Sequence, residues 1–179
     1  AQRTGLREGR GARILPMSTH SDIREKTVTT QRLREMKAMG EQIACLTAYD
    51  CTMAGLIDAA GVDVILVGDS VATVVQGLDT TVTVTLEHML YHAGLVRRGV
   101  ERALVVGDLP FMSYQVNADE ALRSAGRVVK EGGVGAVKLE GGEVVCEAVG
   151  RMVRVGIPVM GHLGLTPQSI HSFGTYKVR

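Results

Sequence analysis

The order of apolar runs predicts an α/β chain: a (β/α)8 TIM barrel, of which these residues supply roughly the first five β-α units. Three observations lead there. Five apolar runs, IACLTAY (43–49), VDVILVG (62–68), ALVVGDL (103–109), GAVKLEG (135–141) and IPVMGHLG (157–164), lack regular polar alternation. Runs of that kind suit parallel strands buried on both faces. Longer amphipathic stretches separate them, and strict alternation implies parallel strands joined by right-handed crossovers. No GxGxxG follows the first strand, and no Gly-rich loop ends in Lys-Ser or Lys-Thr. Alternation alone also allows a doubly wound sheet, but the missing phosphate loops favour the barrel. A barrel needs eight units and about 250 residues, so three units are unaccounted for in a chain of 179 residues.

The elements follow in order from their end signals. Thr30 is expected to cap a helix over 31–39 that Gly40 stops. Asp50, after the first strand, reads as the cap of CTMAGLIDAAG rather than as a ligand. No helix is expected in VATVVQGLDTT (71–81). Thr85 caps LEHMLYHAGLVRR before Gly99, and Asn117 caps ADEALRSAGRVVKE before Gly132 and Gly133. A last helix covers roughly 143–154 and ends at Gly156. Thr, Asp and Asn starts and Gly stops satisfy or relax backbone groups that helix ends leave unpaired.

Residues 1–29 read as a poorly structured extension and 30–179 as an incomplete barrel domain. Residues 1–16 hold four Arg against one Glu, and are expected to be a read-through or tag remnant, with the natural start at Met17. Residues 1–40 hold 9 Lys and Arg against 4 Asp and Glu; the rest hold 11 against 15, so the body is mildly acidic. A net charge of +1, no Trp and 3% aromatic residues argue against nucleic acid, which needs a basic face and stacking platforms. No run reaches the roughly 18 apolar residues of a membrane helix, so no membrane partner is expected. Cys45, Cys51 and Cys146 are odd in number and form no CxxC pair. The chain is therefore expected to be reduced and cytoplasmic.

Polar residues fall at the carboxyl ends of the runs: Asp69 and Ser70, Asp108, Lys138 and Glu140, and His162. In a parallel barrel those ends share the rim where active sites are built. Converging carboxylates repel one another without a cation, and magnesium suits hard oxygen ligands completed by water and substrate. An inward Lys138 needs an acid or anionic ligand beside it. His88 and His92 lie four apart without the HExxH order and read as a helix face. The scattered Met residues read as core, the cysteines lack an activating base, and no GxSxG elbow is present.

The strings LTAYDCTMA (46–54), VDVILVGDS (62–70), VTLEHMLYH (84–92), VRRG (96–99), LVVGDLPFMSY (104–114), AVKLEGG (136–142) and GIPVMGHLGLTPQSIH (156–171) resemble the ketopantoate hydroxymethyltransferase family, from about Thr30 to Arg179. The resemblance implies a barrel that forms a homo-oligomer, usually a decamer. Its activity would be hydroxymethyl transfer from 5,10-methylenetetrahydrofolate to 3-methyl-2-oxobutanoate, giving 2-dehydropantoate for pantothenate biosynthesis. It implies Mg²⁺ held by Asp69 and Asp108, with Glu140 completing the metal site through water. Asp69, Ser70, Asp108, Lys138 and His162 would contact the 2-oxo acid, Lys138 and His162 with catalytic parts. The family's catalytic base, a Glu near the sixth strand, would lie beyond Arg179. The chain alone is therefore expected to be inactive and prone to aggregate along its open strand edges. The family usually has Ala-Asp where this chain has Gly107-Asp108, a minor departure. Two alternatives stay open: a related Mg²⁺-dependent 2-oxo acid lyase or mutase, and an inert truncated product.

Overall fold

A computed structural model describes residues 27–169 of the chain. The expectations for residues 1–26 and 170–179 lie outside the described residues. The described part runs α1 (Thr30–Met39), β1 (Cys45–Thr47), α2 (Cys51–Ala59), β2 (Val64–Val67), α3 (Val71–Val74), α4 (Leu86–Gly99), β3 (Leu104–Asp108), α5 (Ala118–Gly132), β4 (Ala136–Glu140), α6 (Cys146–Arg154) and β5 (Val159–His162). The strands form one parallel sheet in the order β1-β2-β3-β4-β5. Sequential neighbours joined by helices make an arc of a barrel.

Strand register sorts the side chains into two cores. Ile65, Val67, Val105, Val137 and Leu139 pack with the helices. The alternate positions Val64, Leu104, Val106 and Ala136 form a separate cluster with Leu66 and Met160. Both faces are thus apolar in the lower part of the sheet, which is why no period of two shows in the sequence. Higher along that second face, Asp108 pairs in register with Lys138, and Glu140 with His162. The inner face therefore changes from apolar to charged toward the strand ends.

Both-face burial holds for the middle of the sheet only. All five residues of β3 and of β4 are buried, whereas β1 is exposed throughout and β5 is half-buried or exposed. Each outer strand has one hydrogen-bonded neighbour among the described residues. Residues 27–29, expected to belong to the extension, are part of the fold. Val28 is buried in the inner cluster and its N–H donates to the Arg102 carbonyl at 2.8 Å.

Helix ends follow the expected chemistry, with four shifts. Thr29 rather than Thr30 caps α1, its hydroxyl accepting from the Arg32 N–H. Gly99 does not stop α4 through a left-handed turn; it lies inside the helix, and Val100 follows as the cap. A Cβ at Gly99 would sit 2.3 Å from the Cys51 carbonyl oxygen, so its lack of a side chain lets α4 touch the start of α2. One helical turn, α3, does form after Asp69 and Ser70, with no side-chain cap bond from Ser70. The last helix opens with a 3₁₀ turn at Gly142–Val145, and its α-helical part begins at Cys146. Asp50 is the cap of α2, accepting from the Met53 N–H at 2.9 Å. Gly40 and Gly133 end their helices in left-handed conformations at φ 72 and 71.

Gly107 has a packing reason. A Cβ there would lie 2.7 Å from Val128 Cγ1 of α5 and 3.3 Å from Val134 Cγ1. Glycine lets α5 seat closely on β3 just before the strand presents Asp108.

Candidate active site

Three of the expected residues, Asp69, Asp108 and Lys138, meet above the middle of the sheet, and Glu140 is buried two positions beyond Lys138 on the same strand. Lys138 Nζ donates to both carboxylate oxygens of Asp108, at 2.7 and 2.8 Å. The Asp69 backbone N–H donates to Asp108 Oδ2 at 3.3 Å, which brings the ends of β2 and β3 together. Asp69, Asp108, Lys138 and Glu140 are all buried. Gly68 leaves room for Ser70, whose Oγ a Cβ there would crowd at 2.9 Å.

Burial sets the electrostatics. It pushes the Asp108 carboxyl from 3.8 up to about 7; the Lys138 ammonium pulls it back and the neighbouring Asp69 adds to the rise. A carboxylate in a low-dielectric site loses hydration that one ion pair restores only in part. Glu140 is raised for the same leading reason, moderated by Lys138. Burial also raises the Tyr114 hydroxyl far above its usual value. Glu140 Oε2 is a buried carboxylate oxygen with no hydrogen-bond partner, a costly condition.

Ser70 and His162 are placed differently from these four. Ser70 Oγ pairs with the Tyr49 hydroxyl at 2.7 Å. His162, in register with Glu140, turns its Nε2 to the Leu165 carbonyl at 2.6 Å. His88 serves in the capping box of α4, and buried His92 donates through Nδ1 to the Tyr49 carbonyl at 2.8 Å. Both are therefore helix residues with structural partners.

Three residues at the rim escaped sequence reasoning: Tyr49, Tyr114 and Gln168. Tyr49 and Tyr114 lie in loops after β1 and β3. Gln168 lies in a 3₁₀ turn, Pro167–Ser169, after β5. They are neutral, and no spacing rule singles them out. A signal existed in their position beyond strand ends.

The donor chemistry fits magnesium. Asp69 and Asp108 offer hard oxygens, and the unpartnered Glu140 oxygen is suited to accept from water. Among the described residues, no three or more His, Cys, Asp or Glu are gathered as a metal-holding group. Asp69, Asp108 and Glu140 are thus not a closed cage, and Lys138 and Gln168 hold oxygens of the two aspartates. Magnesium usually takes one or two protein carboxylates and fills the rest with water and substrate.

Comparison with known proteins decides the lineage. The sequence model described as Ketopantoate hydroxymethyltransferase matches residues 27–179. The chain belongs to the ketopantoate hydroxymethyltransferase family. Proteins named 3-methyl-2-oxobutanoate hydroxymethyltransferase are similar to it in Chlorobium phaeobacteroides (56% identity, 91% of this chain, 60% of the relative). Others are found in Flavobacterium johnsoniae (61%, 86% and 57%) and Cytophaga hutchinsonii (61%, 91% and 60%). The chain thus spans about 60% of the length of these relatives. Among solved structures, 2,3-dimethylmalate lyase, described as a PEP mutase/isocitrate lyase superfamily member, aligns at TM-score 0.57 and 20% identity, over 83% of this chain and 56% of that one. Oxaloacetate acetylhydrolase aligns at TM-score 0.57 and 16% identity, with the same coverage of 83% and 56%. At such identities the likeness shows a shared TIM-barrel fold, of which the described residues supply five strands. No helix of the described residues is long and apolar enough to cross a membrane.

Proposed function

We propose that this chain carries the metal- and keto-acid-binding part of a 3-methyl-2-oxobutanoate hydroxymethyltransferase. The enzyme would transfer the one-carbon unit of 5,10-methylenetetrahydrofolate to 3-methyl-2-oxobutanoate, giving 2-dehydropantoate. One observation supports this most: acids from two strand ends meet in a buried site, Asp69 with its N–H on Asp108, and Lys138 is paired to the second acid.

Asp69 and Asp108 would hold Mg²⁺, with Glu140 accepting from water beside it. When bound, the ion supplies Lewis acidity at the keto oxygen, which eases loss of the C3 proton. Lys138 supplies a fixed ammonium for the substrate carboxylate, and its hold on Asp108 keeps it aimed at the rim. His162 and Ser70 would orient the acid, a contribution of proximity rather than of proton transfer. Burial excludes water from the charges and strengthens their effect. The base that takes the C3 proton is assigned to the part of the relatives' length outside this chain. A cytoplasmic homo-oligomer acting on two small molecules, without nucleic acid or membrane, completes the reading. The lyase and mutase alternative is disfavoured because those neighbours share the fold at 20% identity or less in the two alignments above, against 56–61% for the named relatives.

The test is Mg²⁺-dependent deuterium exchange at C3 of 3-methyl-2-oxobutanoate, followed by proton NMR in the complete enzyme. Asp69→Ala and Asp108→Ala are each expected to slow exchange at least about 100-fold. Exchange at the parent rate in both variants removes the basis of the assignment.

A further inference from the structure

Among the described residues, Gln168 is tied into the site more fully than any other neutral side chain. Its Nε2 donates to Asp69 Oδ2 at 2.9 Å and to the Leu109 carbonyl at 3.1 Å. Its Oε1 accepts from the Tyr114 hydroxyl at 2.8 Å and from Gln115 Nε2 at 3.1 Å. Two donors and two acceptor positions are the whole capacity of a carboxamide. The orientation is therefore unambiguous. A flipped amide would set its oxygen against the Asp69 carboxylate and the Leu109 carbonyl together.

The network crosses the sheet. Gln168 comes from the turn after β5, yet it holds an acid that follows β2, 99 positions away in sequence. Through Tyr114 it also reaches β4, because the Tyr114 oxygen accepts from the Glu140 N–H at 3.1 Å. Gln168 is 4% exposed, so water does not compete for these bonds. Among the described residues, no hydrogen bond reaches the other Asp69 oxygen, Oδ1.

We propose that Gln168 is a positioning residue: it engages Asp69 Oδ2 inside the protein, so that Oδ1 is the oxygen offered to the divalent cation. The proposal rests on the reading of Asp69 as a metal ligand. It assigns to the turn after β5 a part in metal affinity that its distance along the chain conceals. Carboxylate ligands are oriented by the hydrogen bonds behind them, and losing such a partner weakens metal binding about 10- to 100-fold.

Mn²⁺ serves as the probe, titrated into the full chain by calorimetry and followed by electron paramagnetic resonance. Gln168→Met keeps the bulk and removes the amide; it is expected to weaken Mn²⁺ about 10- to 100-fold and to alter the spectrum of the bound ion. Should that variant lack a cooperative thermal transition, Tyr114→Phe takes its place, with an expected loss of about three- to tenfold. Asp69→Asn separates the two readings. Mn²⁺ affinity kept in Asp69→Asn overturns both the metal assignment and this proposal. Affinity lost in Asp69→Asn but kept within twofold in the folded Gln168 or Tyr114 variant overturns this proposal alone.

Discussion

The middle of the sheet and its two outer strands obey different physics. In β3 and β4 every residue is buried, so Asp108 and Lys138 find their partners inside the protein, and Glu140 keeps one oxygen without one. In β1 no residue is buried, and in β5 His162 stays partly exposed. Charge in the middle is therefore expensive and mutually dependent, while the outer strands contribute side chains that lean on their own loops. The difference locates the chemistry in the centre.

Breaking the central pair tests that contrast most strongly. Lys138→Ala leaves Asp108 buried without its counter-ion and is expected to cost about 3–5 kcal/mol in urea unfolding. Adding Asp108→Asn to that variant should return part of the loss. A cost below about 1 kcal/mol would mean that the centre is as forgiving as the edges. Next in size is packing. Leu139→Ala on β4, where the side chain is 1% exposed, is expected to cost about 2–5 kcal/mol. Leu46→Ala on β1, where it is 52% exposed, should stay within about 0.5 kcal/mol. Equal losses would erase the distinction.

The last effect is a slope with pH. Asp108 titrates near 7 in the folded chain against 3.8 for an unperturbed side chain. Between about pH 4 and 7 the folded state holds the extra proton, so this group's contribution to stability falls as pH rises. That sign is opposite to the usual Asp behaviour. Metal-free unfolding curves at pH 5 and 7 should show the parent losing stability upward through this window, and Asp108→Asn should flatten the trend.

Most of the architecture could be read from five apolar runs and their punctuation, because caps such as Asp50 and Asn117 are local chemistry. The two-sided burial expected of every run failed at β1 and β5, where sequence does not say which strand lacks a covering neighbour. Gly99 misled for a related reason. Its absence of a side chain looked like a turn, and the structure uses it to bring two helices together. At the site, Asp69, Asp108, Lys138 and Glu140 were visible because charge inside an apolar run is conspicuous. Gln168 and Tyr114 were invisible because a neutral polar residue in a loop looks the same whether it faces solvent or a carboxylate. The Lys138–Asp108 pairing depends on register, which no strand reveals by itself.

Val28 gives the segment ahead of the first strand a structural duty. With Leu33 of α1 it packs against Val64, Leu104, Val106 and Ala136, and so floors the inside of the arc. Translation begun at the internal methionines, Met36 or Met39, would deliver every charged residue of the rim and still omit the stopper. Solvent would then enter beneath the acids from the opposite end, and the low-dielectric setting that tunes Asp108 would be lost without any change at the rim itself.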